Sequence, residues 1–232
     1  MKFFHIKKCH LILVLTFGLL FASVIAASEI HVPQPLAGKI IIVDAGHGGV
    51  DSGANRPGIR EKDINLAITL QLKEALNQYG AKVILSRDSD IELSKLCDNP
   101  LVKGRYHRDL AARLEFVEES DADLYISIHA NTSTDGRRRG PESFYYAKSP
   151  YSKALANTIQ TSLAQLTHAQ ATANPGDYFV LRRNKVPAAL IEVGYLSNTA
   201  ERTLLQSASY QQQLAQAIAQ GICTFYGSGL IP

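Results

Sequence analysis

Three apolar runs along the chain each lead to one ionisable side chain. They are residues 40–43, 124–128 and 188–191. The first run passes through a glycine-flanked turn to His47, and the other two end directly at His129 and Glu192. Unbroken apolar runs predict strands that are covered on both faces, as in a parallel sheet. Such sheets hold their ligands beyond the carboxyl ends of the strands, so we predict that these three residues meet at one edge.

Between these runs, apolar residues recur at the spacing that is typical of helices. From Glu61 to Tyr79 apolar residues recur at helical spacing, and Gly80 follows where a left-handed cap is favoured. Residues 81–85 predict the next strand, which makes a strand, helix and strand unit that should be parallel and right-handed. Further helices are predicted over 108–120, 151–166 and 210–225, a hairpin-like strand over 144–147, and a short strand over 178–181. This alternation indicates an α/β domain.

The first 27 residues have the pattern of a secretory signal. Three lysines precede an uncharged apolar stretch that ends in Ala26 and Ala27. We expect a signal peptide over residues 1–27, or an uncleaved N-terminal anchor that would be the chain's link to a membrane. Either form places the protein outside the cytoplasm, in the periplasm or the extracellular space. The rest is predicted to be a short N-terminal segment (28–38), one catalytic-sized domain (39–226) and a tail (227–232).

Composition narrows the classes of function. Of the 232 residues, 205 follow the leader, enough for one domain with a full hydrophobic core. The three lysines of the leader account for the formal net charge of +3, so the remainder is close to neutral. We therefore expect no nucleic-acid partner, and we interpret residues 137–139 as a solvated loop. Cys97 and Cys223 form no metal-binding pair such as C-x-x-C, and export permits a disulfide without requiring one.

His47, His129 and one carboxylate form a candidate metal site. Catalytic zinc takes three protein ligands from imidazole nitrogen and carboxylate oxygen, and it keeps the fourth position for water. Glu61 is the best-placed carboxylate, because it begins a helix after the glycine-rich loop that follows His47. Asp44 and Asp51 are the alternatives. The sequence therefore predicts one Zn²⁺ per chain.

Glu192 is the candidate general acid and base. It could also bind the metal, but a hydrolytic zinc site needs a carboxylate that is not a ligand, to take a proton from water and return it to the leaving nitrogen. Its place after a separate apolar run suits that role, because a charge there would be costly without a partner. Asp44 and Asn131 lie near the histidines in sequence and are expected to orient the imidazoles.

Four ordered motifs resemble those of the zinc-dependent N-acetylmuramoyl-L-alanine amidases of the amidase-3 type. They are VDAGHGG (43–49), REKDINLA (60–67), SIHAN (127–131) and PAALIEVGYLSN (187–198). The resemblance covers about residues 39–226. It implies a single α/β domain, with a twisted, mostly parallel sheet flanked by helices on both faces.

The same resemblance implies a reaction and a set of roles. Members of the family cleave the amide between the lactyl group of N-acetylmuramic acid and L-alanine of the peptidoglycan stem peptide. Carried over by motif, His47, Glu61 and His129 are the zinc ligands and Glu192 is the general acid and base. Peptidoglycan is then the expected partner.

Two departures from the family pattern affect regulation and substrate. Some members carry a helix between the second histidine and the catalytic glutamate, and it blocks the zinc site until a partner removes it. Here 63 positions separate His129 from Glu192, too few for that insertion, so we expect no obligatory activator. The extra stretch 93–107 resembles the germination-specific, spore-cortex branch of the family, and the sequence leaves a vegetative or a cortex role open.

Two other functions stay open on the sequence alone. Another zinc-dependent cell-wall peptidase would share the ligand types, but the sequence contains neither H-x-x-E nor H-E-x-x-H. A catalytically silent peptidoglycan-binding domain is the other alternative. An intact ligand set together with Glu192 argues against it.

Overall fold

The computed structural model describes residues 34–229, which contain eight strands and six helices. In chain order the elements are β1 (Ile40–Ala45), β2 (Asn55–Arg56), β3 (Ile59–Arg60), α1 (Glu61–Gln78), β4 (Lys82–Leu85), α2 (Arg105–Glu119), β5 (Leu124–Asn131), β6 (Glu142–Tyr145), α3 (Pro150–Thr167), β7 (Asn174–Pro175), α4 (Phe179–Arg182), β8 (Ala188–Tyr195), α5 (Thr199–Leu205) and α6 (Ala208–Gly227). The predicted leader lies outside the described residues. Within residues 34–229, no helix combines the length and the apolar character needed to span a membrane.

Six strands form the central sheet in the order β4, β1, β5, β8, β6, β7. β1 pairs in parallel with β4 and β5, and β5 pairs in parallel with β8. β6 runs antiparallel to β8 and parallel to β7. The predicted α/β fold with a mostly parallel sheet is confirmed. Because β1, β5 and β8 are parallel neighbours, the residues at their carboxyl ends share one edge of the sheet.

Helices cover both faces of this sheet. On one face α1, α3 and α6 form a shared hydrophobic core that includes Ile41 and Val43 of β1. On the other face α2 and α4 pack around Ile42, Tyr125 and Leu190. Successive residues of a central strand are therefore buried on opposite faces, which is why these strands appear in the sequence as unbroken apolar runs.

The long elements begin and end within a few residues of the predicted positions, whereas the short elements differ. The predicted strand over 178–181 is wrong, because the chain turns into α4 at Phe179. Four apolar residues are too few to distinguish a buried helical turn from a buried strand. Of the hairpin-like strand predicted over 144–147, only Phe144 and Tyr145 are extended, as the end of β6, which pairs with β8 and β7. α5 was not predicted, although Asn198 caps it by accepting from two backbone N–H groups.

Candidate metal centre

β1 leads His47 into a turn that depends on its glycine neighbours. His47 has a φ of 62°, and Gly48 and Gly49 have φ values of 139° and 57°. A Cβ atom on Gly46 would lie 2.3 Å from ring atoms of His129. The glycines therefore allow the two imidazole rings to approach, with their centroids 5.0 Å apart.

Two buried guanidinium groups hold this turn through its carbonyl oxygens. Arg113 of α2 donates to Ala45 at 3.0 Å and to His47 at 2.9 Å. Arg87, which follows β4, donates to Ala45 at 2.9 Å and to Gly46 at 3.1 Å. Neither role was predictable from the sequence, because a single arginine in a helix or loop carries no pattern of its own.

Asp44 is the buried counter-ion of this arrangement. Its carboxylate pairs with Arg113 and accepts hydrogen bonds from the hydroxyl groups of Ser86, Tyr125 and Ser127. Burial alone would raise the pKa of Asp44, but the charge of Arg113 and the three hydroxyl donors outweigh it and lower the pKa to about 2. Among the described residues these four groups take its hydrogen bonds and neither histidine does. Asp44 therefore contacts Arg113, which in turn holds the carbonyl oxygen of His47, and among the described residues its carboxylate forms no hydrogen bond with either imidazole.

Asp51 is the carboxylate that contacts the imidazole of His47. Its Oδ2 lies 2.9 Å from Nδ1 of His47, and its Oδ1 accepts the N–H of Gly53 at 3.1 Å. Reciprocal backbone hydrogen bonds of 3.0 Å between Gly48 and Asp51 close the turn. Nε2 of His47 is thereby left to face Glu61. From the sequence, Asp51 was predicted only as an alternative metal ligand, although it lies four residues after His47 in the same turn.

Glu61 begins α1 and places its carboxylate between the two imidazoles. Its Oε1 lies 3.0 Å from Nε2 of His47 and 3.0 Å from Nδ1 of His129. Its Oε2 accepts the N–H of Ala54 at 2.8 Å, and the amide nitrogen of Asn65 lies 3.4 Å from Oε1. Burial would raise the pKa of Glu61, but the hydrogen bonds and charges of the two histidines hold it far below its ordinary value.

His47, Glu61 and His129 fit a divalent cation. One possible ligand atom from each lies within 4.8 Å of the other two, and two imidazole nitrogens with one carboxylate oxygen are a known donor set for catalytic zinc. Burial disfavours a charged imidazole, yet the hydrogen bonds and charges of Glu61 and Asp51 outweigh it and raise the pKa of His47 to about 9. The site therefore favours positive charge. The structure brings together the three residues that the sequence predicted as ligands.

Glu192 lies beside this set on the neighbouring strand. The register of β5 and β8 places it opposite His129, and its side chain is buried. Burial raises the pKa of Glu192 to about 7. The charges of His129 and His47 act to lower this pKa, but those of Glu61 and Glu142 act to raise it. Its Oε2 has no hydrogen-bond partner among the described residues. A buried oxygen without a partner is costly, so it marks a place for a proton, a water molecule or a substrate group.

A cavity of about 320 Å³ opens over these groups, and its lining includes His47, Glu61, His129 and Glu192. One wall comes from Leu110 of α2, from α4, and from Tyr106 at the end of the extra stretch 93–107. Asn131, the last residue of β5, and Thr132, which follows it, also line the cavity.

Asn131 does not contact an imidazole through its side-chain hydrogen bonds. Its Nδ2 lies 3.4 Å from Oε2 of Glu142, and its Oδ1 accepts the N–H of Thr132 at 2.7 Å. The β-bulge between His129 and Asn131 turns the side chain toward β6. Asn131 therefore shapes the cavity wall, and the expected contact with a histidine is absent among the described residues.

Comparisons with known proteins agree with this geometry. The family described as N-acetylmuramoyl-L-alanine amidase (Amidase_3) matches residues 41–224. The germination-specific N-acetylmuramoyl-L-alanine amidase of Bacillus subtilis (strain 168) is 38% identical over 195 residues, which cover 83% of this chain and 81% of that protein.

Two solved structures have a similar fold. The CwlD amidase from Clostridioides difficile in complex with the GerS lipoprotein has a TM-score of 0.77 at 38% identity, with 82% of this chain and 100% of that chain covered. The catalytic domain of CwlV, an N-acetylmuramoyl-L-alanine amidase from Bacillus (Paenibacillus) polymyxa var. colistinus, has a TM-score of 0.69 at 34% identity, with 81% and 97% covered. The chain therefore belongs to the amidase-3 family of N-acetylmuramoyl-L-alanine amidases.

Proposed function

We propose that this protein is a peptidoglycan hydrolase that cleaves the amide between the lactyl group of N-acetylmuramic acid and L-alanine of the stem peptide. Family membership and the named amidase relatives support this activity. The observation that carries it is the convergence of the ligand set with Glu192. A metal-binding triad alone would suit a structural site, but a buried carboxylate with a partnerless oxygen beside it suits hydrolysis.

His47, Glu61 and His129 would hold one Zn²⁺. When bound, zinc supplies Lewis acidity, which lowers the pKa of water toward neutrality and polarises the carbonyl of the scissile amide. Asp51 would support zinc binding, because its contact with Nδ1 of His47 fixes the ring and leaves Nε2 for the cation. Arg113 and Arg87 hold the carbonyl groups of the same turn and keep the ring in place.

Glu192 moves the proton in this reaction. It accepts a proton from the attacking water at Oε2 as the new carbon–oxygen bond forms at the lactyl carbonyl. It then delivers this proton to the amide nitrogen as the carbon–nitrogen bond breaks, which frees the amino group of L-alanine. The second proton of the water stays on the new lactyl carboxyl group and is then lost to solvent, which leaves the carboxylate. A pKa of about 7 suits this exchange, because a group near neutrality both gains and loses a proton readily.

We further propose that the protein acts in the cell envelope after export, with residues 39–226 as the catalytic domain. The secretory pattern of residues 1–27 supports export, and peptidoglycan lies outside the cytoplasmic membrane. We also propose that the purified chain is active without an activator, because the segment between β5 and β8 is short and the cavity is open. One similar structure is a complex with a lipoprotein, so this part of the proposal needs its own test.

The test is product analysis with the purified protein alone. Zinc-loaded protein is incubated with peptidoglycan, and the newly released amino groups are labelled and identified. We expect N-terminal L-alanine, loss of its release after chelation, and recovery when zinc is returned. A different new N-terminus would indicate a peptidase, and wall binding with no released amine would indicate a silent binding domain. Release that begins only when a partner is added would contradict the activator-free proposal.

A further inference from the structure

Arg56 lies near the metal cavity and has no acidic partner within residues 34–229. It belongs to the β2–β3 hairpin between the His47 turn and α1, where it pairs with Ile59. Its Nη2 donates to Oγ1 of Thr132 at 2.6 Å and its Nη1 donates to the carbonyl oxygen of Asn55 at 2.9 Å. Both acceptors are neutral, and no carboxylate in residues 34–229 forms an ion pair with this side chain.

The position of Arg56 is fixed by contacts with two ligand-bearing segments. Ala54, two residues earlier, donates its N–H to Glu61 at 2.8 Å and accepts the backbone N–H of Glu61 at 2.9 Å. Thr132, which holds the guanidinium, follows His129 by three residues and lines the cavity. The guanidinium is therefore held at the cavity rim, between the segments that carry two of the three candidate ligands.

Two other arginines of this region pair with carboxylates, and a third, Arg87, is engaged by backbone carbonyl groups. Arg113 pairs with Asp44, and Arg138 pairs with Glu142 at 2.9 Å. Most of the remaining ionisable groups that line the cavity are carboxylates and histidines. An anionic substrate group near this rim would therefore find its counter-ion in Arg56.

The stem peptide of peptidoglycan carries such an anionic group close to the scissile bond. The residue after L-alanine is D-glutamate, which is joined to the next residue through its side-chain carboxyl group. Its α-carboxylate is therefore free unless it has been amidated. This carboxylate is one residue away from the bond that the proposed amidase would hydrolyse.

We propose that Arg56 binds the α-carboxylate of the D-glutamyl residue, so that the enzyme favours stem peptides in which this group is free. The inference rests on the proposed amidase function. Two of the five N–H donors of the guanidinium are engaged by Thr132 and Asn55, which leaves three for a ligand. A planar guanidinium can hold a carboxylate through two parallel hydrogen bonds, which a lysine cannot reproduce.

The experiment uses glycan strands with tripeptide stems in two forms that differ only in whether the D-glutamyl α-carboxyl group is free or amidated. Release of N-terminal L-alanine gives kcat and KM on each form. The variants are Arg56→Gln, Arg56→Lys and the control Arg137→Gln. Arg137 is 92% exposed and pairs with Asp135, so its replacement removes one positive charge from the chain without touching the rim.

We expect the wild type to favour the free acid by about tenfold in kcat/KM, the lower end of what one charge-assisted hydrogen bond contributes. Arg56→Gln should abolish this preference by raising KM for the free acid, with kcat and the zinc content unchanged. Arg56→Lys should keep part of the preference, and Arg137→Gln should keep all of it.

Two results would overturn the inference. An equal loss on both substrate forms in Arg56→Gln would show that Arg56 only braces the hairpin against Thr132. Unchanged kinetics on both forms would show that it does not contact the stem peptide. A wild-type enzyme that releases no L-alanine from either form would instead contradict the amidase function itself, so the two failures are distinguishable.

Discussion

Asp51 determines which nitrogen of His47 faces the candidate metal. The carboxylate holds Nδ1 at 2.9 Å, which leaves Nε2 for the cation. A carboxylate in this position also makes the imidazole more basic and therefore a better metal ligand. The ability of the site to bind zinc should therefore depend on a residue that is not itself a ligand.

Asp51→Asn should keep the fold and weaken zinc binding by about 10-fold to 100-fold, the usual effect of losing such a partner. Competition with a chromophoric chelator measures the affinity. Asp63→Asn is the matched control, because it removes a carboxylate of α1 that pairs with exposed Arg60 and not with a histidine. The account would be contradicted if Asp51→Asn bound zinc as tightly as the control.

Glu192 gives the reaction a pH dependence with a defined sign. Only the ionised carboxylate accepts a proton from water, so kcat/KM should fall as the pH decreases through the pKa of Glu192. Burial raises this pKa to about 7 in the metal-free protein. A nearby cation favours the ionised form, so the acid limb of the zinc enzyme should lie below that value.

Carbon-13 NMR of labelled glutamate carboxyl groups measures this titration with and without zinc. The expected result is a midpoint near neutrality in the metal-free protein that moves to lower pH when zinc is added. The Glu192→Gln protein identifies the resonance by its absence. A midpoint near the ordinary value of 4.5 in the metal-free protein would contradict the effect of burial.

The role of a site residue could be predicted from the sequence when that residue ends a strand or begins a helix. His129 and Glu192 directly follow apolar runs, and Glu61 begins a helix, so the sequence marked all three. Arg87 and Arg113 act through hydrogen bonds to a turn that is distant in sequence, which leaves no local pattern. Asp44 was expected to orient the imidazoles because it lies near His47 in sequence, and its side chain instead pairs with Arg113.

Among the elements, the long ones follow from hydrophobic periodicity, and the short ones depend on tertiary packing. α3 and α6 were recognisable because several turns repeat the same apolar face. α4 spans only four residues and packs against α2 and β8 beside the cavity. A pattern of that length carries too little information to settle its conformation.

The substitution Gly221→Ala tests the packing of α3 against α6. A Cβ atom there would lie 2.4 Å from the Cα of Ile159, so Gly221→Ala should push the two helices apart. We expect a loss of about 1–3 kcal/mol in the free energy of unfolding, as overpacking usually causes, although alanine favours the helix by about 1 kcal/mol. Urea denaturation measures the change.

Gly227→Ala is the control in the same helix, because nothing lies within 4 Å of the added Cβ atom. It should leave the stability close to that of the wild type. α6 does not line the cavity, so zinc affinity should be unchanged in both variants. A Gly221→Ala protein as stable as the control would contradict the close crossing of the helices.

For the molecule as a whole, the parallel sheet explains why distant motifs form one site. β1, β5 and β8 are neighbours, and α1 returns the chain to the same edge, so residues from four separate segments meet there. The sequence predicted this convergence, since the rule about strand ends applies to open parallel sheets in general. It could not predict the cavity walls, because these combine the extra stretch 93–107, α4 and the loop after β5.

The most direct test of the account compares Glu192→Gln and His47→Ala with the wild type for zinc content and for release of N-terminal L-alanine from peptidoglycan. Glu192→Gln should retain about one zinc per chain and lose turnover by about 10²-fold to 10⁴-fold, the usual contribution of general acid and base catalysis. His47→Ala should lose both zinc and turnover. A Glu192→Gln protein that keeps wild-type turnover, or a His47→Ala protein that keeps its zinc, would contradict the assignment of the site.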